Sequence, residues 1–298
     1  MSKPEGYRSP GATLMAISSA AKAAAPALGV PVQHLEQLLL FNRLLVRVFQ
    51  NPGGPFVLKG GTRMLAYIPQ ARATRDIDLE TSLPLDEAVK QLRTLCAADM
   101  GDRLRFDLVG RRDGGGDDQP NIAVTTLTFE ATGTGRRVKI DLAAYQRAGA
   151  AVVLEAPRFR VDLPRPLPEA DYVMIRVEQQ IADKVAATME RRHAGGDGRS
   201  SRAKDLVDLA LIALHLPCDA RLLAEAIARQ MEERSLNPFA AIDTPKMMQR
   251  GYQAAAKNTA VEYMSWQDAE TLTNSLVGPI LDGTVSAGTW DPHRCKWT

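Results

Sequence analysis

The 298-residue chain is short of cysteine, of histidine and of long apolar runs, and each shortage removes a class of protein. Its three cysteines, Cys96, Cys218 and Cys295, are odd in number and far apart, so neither a disulfide framework nor a thiolate zinc cluster is indicated. The four histidines, at 34, 193, 215 and 293, show neither metal-ligand spacing nor a partner pattern for acid–base work. No uncharged apolar run reaches the roughly 18 residues of a membrane-spanning helix. The alanine-rich stretch from Ala20 to Ala27 is too short and too weakly apolar for a secretory signal. A cytoplasmic location is therefore expected. A large charge excess is also missing, and a net charge of +2 does not by itself announce a nucleic-acid binder.

What is present is an ordinary globular composition, 45% hydrophobic and 24% charged, long enough for one large core or two smaller ones. After a Pro-, Gly- and Ser-rich start, helical spacing predicts helices near 12–25 and 32–50, the second on Leu35, Leu38, Leu39, Leu45, Val46 and Phe49. Asn51-Pro52-Gly53-Gly54-Pro55 stops it. A strand over 56–60, a helix over 62–69, a strand over 75–80 and a helix over 84–99 follow. Period-two alternation then predicts strands over 103–109, 122–130 and 137–142, with a further strand in 152–161. The fold class is α+β: a mixed-sheet domain over residues 1–163, a proline-marked linker near 162–169, and a mainly helical domain over 164–298. There a helix over 170–192 carries Val173, Val177, Ile181 and Val185 at steps of four, and two or three more helices fill 219–282. Trp266 reads as core, and the tail from Trp290 to Thr298 docks on the body or on a partner.

The chemistry gathers in Phe56-Val57-Leu58-Lys59-Gly60-Gly61-Thr62 and Thr74-Arg75-Asp76-Ile77-Asp78-Leu79. Residues two apart in a strand share a face, so Asp76 and Asp78 project together while Ile77 and Leu79 enter a core. Paired carboxylates repel unless a cation sits between them, and Mg²⁺ takes one or two carboxylates together with water and substrate phosphates. Gly60 and Gly61 free backbone N–H groups to approach phosphate, and Thr62 opens a helix whose N-terminus favours an anion. Either feature alone is common on solvated edges or in plain turns; together, in this order, they suit nucleotidyl transfer. By the same parity Lys139 and Asp141 share one face of their strand. Basic residues fall near the site at Lys59, Arg63, Arg72 and Arg75, and further off at Arg111-Arg112, Arg136-Arg137-Lys139, Arg191-Arg192 and Arg199 to Lys204. Converging, they would form a basic rim for a polyanion; scattered, they are solvated charges. Ser200 and Ser201 read as helix caps rather than nucleophiles.

Gly-Gly followed by Asp-x-Asp resembles the polymerase-beta-like nucleotidyltransferase pattern, and Lys59-Gly60-Gly61-Thr62 with Thr74-Arg75-Asp76-Ile77-Asp78-Leu79 resembles the AbiEii family. These are MenT-like toxin nucleotidyltransferases of abortive-infection and toxin–antitoxin systems. The resemblance spans roughly residues 35 to 215 by motif order. It implies that Asp76, Asp78 and Asp141 are catalytic metal ligands for two Mg²⁺ ions, with Mn²⁺ as an alternative. It implies that Lys59, Gly60, Gly61, Thr62 and Lys184 bind a nucleoside triphosphate, the substrate. Asp183-Lys184-Val185-Ala186-Ala187 resembles a family motif, and Asp205 falls at the family's fourth; Lys184 and Asp205 would then enter the catalytic cleft. Snorkelling explains Lys184 as plainly, and a first-turn carboxylate explains Asp205; Asp205 would otherwise position Lys184 or Arg202, or orient the nucleotide. Thr74 matches a regulatory phosphorylation position, the plainer reading being a strand-start hydroxyl. The function implied is addition of nucleotides to the 3′ acceptor end of tRNA, blocking translation, under a separately encoded antitoxin. Transfer to a small molecule or to a protein hydroxyl, or a non-catalytic nucleotide- or RNA-binding module, are the rivals.

Overall fold

A computed structural model describes residues 6–114, 122–145, 151–158, 160–189, 202–246 and 248–298. The chain divides into two compact units, Met1–Pro69 with Ala73–Ile175, and Gln70–Arg72 with Arg176–Thr298. The first is the α+β unit and the second is mainly helical.

In the first unit α1 (Pro10–Leu28) begins with Ser9 capping the Ala12 N–H and Pro10 in its first turn, and ends at Gly29 with φ 66°. Next come α2 (Val32–Val48), β1 (Phe56–Lys59), α3 (Gly60–Tyr67), β2 (Asp76–Thr81), α4 (Leu85–Cys96), β3 (Phe106–Asp113), β4 (Ile122–Ala131), β5 (Arg137–Tyr145), β6 (Val152–Glu155) and β7 (Tyr172–Ile175). The seven strands form one sheet in the order β3-β4-β5-β2-β1-β7-β6. β2 lies antiparallel to β1 and parallel to β5, and β1 lies parallel to β7.

One face of this sheet is the core. Leu58, Ile77, Leu79, Phe106, Leu127, Phe129, Ile140 and Leu142 alternate inward and pack with Phe41, Leu44 and Leu45 of α2 and Ala88 and Leu92 of α4. Each such side chain contributes about 1.5–3 kcal/mol on burial. Two arginines of α2 cross this apolar layer to one carboxylate: Arg43 Nε lies 2.8 Å and Arg47 Nη2 2.5 Å from Asp102. Burial alone would raise the Asp102 carboxyl, but Arg47 and Arg43 hold it below the usual range. Removing one member strands a buried charge, at a cost of about 3–5 kcal/mol.

Three of the expected elements differ here. The helix expected over 170–192 is a strand followed by a helix: Tyr172-Val173-Met174-Ile175 is buried throughout and completes the sheet beside β1, and α5 starts at Val177. A four-residue apolar run with aromatic and β-branched side chains fits a fully buried strand as well as a helix turn, and the Val173–Val177 step concealed the break. β3 begins three residues later than expected, because Arg103 takes φ 60° and cannot continue an extended ladder. The strand expected in 152–161 closes after Glu155.

The second unit holds α5 (Val177–Met189), α6 (Ala203–His215), α7 (Ala220–Glu233), α8 (Met248–Ala256), α9 (Trp266–Leu281) and a terminal hairpin of β8 (Trp290–Asp291) and β9 (Lys296–Trp297). Trp266 is buried and donates to Thr244 at 2.7 Å. The tail docks on its own unit: the Trp290 indole N–H donates to the Ala213 carbonyl oxygen at 2.8 Å and that of Trp297 to the Leu276 carbonyl oxygen at 3.0 Å. Among the described residues no helix is long and apolar enough to cross a membrane.

Candidate active site

The site starts where β1 ends. Gly60 has φ 65°, a left-handed conformation, and a Cβ there would overlap the Asp78 carboxylate. Glycine is thus required twice, for backbone conformation and for space. Gly61 is constrained otherwise: a Cβ would come within 3.0 Å of the Thr74 side chain, and its N–H donates to Asp78 Oδ2 at 3.2 Å. Thr62 is buried and donates to the Asp76 carbonyl oxygen at 2.9 Å, tying the first turn of α3 to the start of β2.

Strand register assembles the carboxylates. Lys59 stands opposite Asp78 on one side, and Asp141 of β5 stands opposite Asp78 on the other. Asp76, Asp78 and Asp141 each offer one oxygen, all within 4.8 Å of one another. Neutral donors orient them: the Thr74 hydroxyl donates to Asp76 Oδ1 at 2.9 Å, the Gly61 N–H to Asp78, and the Thr126 hydroxyl to Asp141 Oδ1 at 2.7 Å. Burial, and then the charge of Asp76, push the Asp78 carboxyl above the usual range despite Lys59 nearby. Three crowded acidic oxygens on half-buried side chains fit a hard divalent cation, which prefers oxygen ligands and relieves their repulsion.

Three neighbours escaped the sequence reading. Glu80 continues the 76, 78, 80 parity of β2 and lies 3.6 Å from Lys59 Nζ, which also donates to the Tyr145 hydroxyl at 3.0 Å. Parity alone could have found Glu80. Tyr145 lies on the three residues by which β5 outruns its expected end, and Thr126 is placed only by the β4–β5 register.

Lys184 and Asp205 belong to the helical unit. Lys184 is buried there, with Nζ 2.5 Å from Asp208 and 3.3 Å from Asp205, while Arg72 reaches Asp208 through two bonds of 3.0 and 2.9 Å. Asp205 also pairs with Arg202 at 2.6 Å. Burial would lower Lys184 and raise Asp208, but their mutual charge prevails, holding Lys184 above and Asp208 below its ordinary value.

The basic groups separate. Arg63 is buried, donating to the Ile175 carbonyl oxygen and stacking over Tyr67, and Arg72 is committed to Asp208. Arg111 pairs with Asp86 and Asp113, Arg136 with Glu36, and Arg137 with Glu130. Arg75, Arg112 and Lys139 are exposed. Arg191-Arg192, His193, Ser200-Ser201 and the start of the Arg199–Lys204 group lie outside the described residues.

A strand, a glycine bend against an acid-x-acid strand, and a third carboxylate in register on the next strand form the arrangement that the sequence pattern leads one to expect of a nucleotidyltransferase centre. The family model described as "Nucleotidyl transferase AbiEii toxin, Type IV TA system" matches residues 43–273, and the chain belongs to this family. It is therefore a nucleotidyltransferase toxin of the type IV toxin–antitoxin class, which uses a nucleoside triphosphate. Among solved structures it is similar to MenT4, a nucleotidyltransferase toxin from Mycobacterium tuberculosis H37Rv, at 15% identity and TM-score 0.51, over 91% of this chain and 98% of that one. JHP933 from Helicobacter pylori matches at 15% identity and TM-score 0.46, over 89% and 94% of the two chains. A nucleotidyltransferase of H. pylori matches at 16% and 0.45, over 89% and 96%. No curated protein sequence matches the chain.

Proposed function

We propose that the protein transfers a nucleotidyl group from a nucleoside triphosphate to the 3′ acceptor end of tRNA, blocking translation until a cognate antitoxin silences it. The observation that carries the chemistry is the crowding of Asp76, Asp78 and Asp141 within 4.8 Å beside the Gly60 bend. Family membership and the exposed cations beside the triad support an RNA acceptor.

Asp76, Asp78 and Asp141 would hold Mg²⁺, or Mn²⁺ in its place, which when bound supplies Lewis acidity and charge neutralisation at the triphosphate. The chain's own groups do the rest. Thr74 and Thr126 fix which oxygens of Asp76 and Asp141 face the centre. The first turn of α3, Gly60 to Thr62, offers the positive end of a helix to the phosphates. Lys59, seated between Glu80 and Tyr145, adds fixed positive charge next to Asp78. We assign Asp141 to receive the proton of the acceptor hydroxyl as its oxygen bonds to the α-phosphorus, the α–β phosphoanhydride bond breaks and pyrophosphate leaves. Thr74 is the regulatory residue of the proposal: a phosphate there would break its bond to Asp76 and set added negative charge against the triad.

The test is incubation of the purified protein with total tRNA, Mg²⁺ and each labelled triphosphate in turn, beside Asp78→Ala. Label should enter tRNA with the wild type alone. Equal labelling by the variant, or label only in protein or in a small molecule, would overturn the RNA-directed reading.

A further inference from the structure

We infer that the open face of the β5–β4–β3 half of the sheet is the track of the acceptor strand, with Lys139 and Arg112 holding its phosphates. The inference rests on the RNA-directed reading above and adds where the acceptor lies.

Register supplies the geometry. Asp78 stands opposite Asp141, Asp141 opposite Thr126, and Thr126 opposite Arg112, so one transverse row crosses four strands from the triad to the sheet edge. The adjacent row runs from Asp76 through Lys139 and Thr128 to Gly110. Alternation puts these side chains on the face opposite the core, since Ile140, Leu127 and Phe129 beside them are fully buried. Arg112 stands two strands from Asp141, about 10 Å at the usual strand spacing. An extended arginine narrows that gap further, so a chain whose 3′ end sits at the triad passes Lys139 and then Arg112.

Charge partners separate these two residues from their neighbours. Arg111 turns to the helix-covered face, with Nη1 2.7 Å from Asp86 of α4. Arg137 is neutralised by Glu130 at 2.8 Å. Lys139 and Arg112 are exposed, and neither has a side-chain partner among the described residues. Beyond them, the row of Arg137, Glu130 and Asp107 is net acidic and bounds the track on that side. An acidic centre flanked by unpaired cations on one open face suits a polyanion whose end, not its middle, meets the metal site. The exposed Val124, opposite Ala143 on the same face, gives the bases an apolar contact.

The experiment compares wild type, Arg112→Ala/Lys139→Ala and a paired-charge control, Arg111→Ala/Arg137→Ala, each first shown to be folded by circular dichroism. Fluorescent total tRNA is titrated at several salt concentrations, and labelling kinetics are run with tRNA or triphosphate varied. Losing two phosphate contacts should flatten the log K against log[salt] slope by about 1.4, at about 0.7 per contact on a single strand. The KM for tRNA should rise severalfold while the KM for triphosphate stays at the wild-type value, and the control should match wild type. Wild-type slope and tRNA KM in the first double variant, or an equal loss in the control, would overturn this inference and leave the reading of function standing. If the wild type labels protein instead of RNA, both fall together.

Discussion

The two units each gather aspartates, and they treat them in opposite ways. In the helical unit Asp208 is buried and met by Lys184 and Arg72, which hold its carboxyl below the usual range. In the sheet unit Asp78 sits against Asp76 and Asp141, its described hydrogen bond comes from a neutral backbone N–H, and its carboxyl is pushed up. The first cluster is closed by the chain's own cations and is complete as it stands. The second leaves acidic repulsion for something outside the chain to relieve. One acidic cluster is neutralised inside the helical unit by Lys184 and Arg72, and the other keeps unfavourable charge where the proposal puts the metal and the nucleotide.

The largest effect should come from breaking the closed cluster. Asp208→Ala leaves buried Lys184 short of its nearest counter-charge and should cost about 3–5 kcal/mol in urea unfolding. Its pH dependence has a definite sign. A carboxyl depressed on folding contributes stability above the ordinary carboxylate pKa of about 4 that is lost as pH falls through its native value. Lys184, raised on folding, keeps its contribution below its ordinary value of about 10.4 and loses it only at higher pH. Asp208→Asn should therefore show a flatter loss of stability below about pH 4 than wild type. Next in size, Asp78→Ala should lower nucleotide transfer by more than about 100-fold, since even outer-shell partners of a metal are worth about 10–100-fold. A smaller loss appears in Gly60→Ala, whose methyl group meets Asp78 and whose φ is unfavourable for alanine. It should destabilise by more than about 1 kcal/mol and depress transfer as well. Smallest and most discriminating is Asp78→Asn, which should raise the metal-free Tm by about 1.5 °C, the shift that roughly 1 kcal/mol gives a chain of this size. The same type of change thus has opposite sign in the two clusters.

Much of the site was legible because it is local. Asp76 and Asp78 share a face by parity, and Gly60 precedes a helix; both follow from a few consecutive residues. Asp141 was placed beside them through resemblance, because the pairing of β5 with β2 joins strands far apart in sequence. The fold class was legible from the change of period, but β7 was not: four apolar residues running into an apolar helical stripe carry no local signal of a strand. Charges were the least legible. Arg63 and Arg72 sit near the aspartates in sequence, yet turn to the Ile175 carbonyl and to Asp208. Arg111 and Arg112 are neighbours, yet strand alternation sends them to opposite faces. Which cations remain for a ligand is decided by long-range partners, and composition does not report them.

The central claim is that Asp76, Asp78 and Asp141 form a divalent-cation site left open by the chain's own charges. Mn²⁺ titration of the purified protein followed by electron paramagnetic resonance, with wild type beside Asp78→Asn and Asp208→Asn, measures it without reference to any acceptor. Saturable Mn²⁺ binding that is lost in Asp78→Asn and retained in Asp208→Asn is the predicted result. Equal binding by wild type and Asp78→Asn would contradict it.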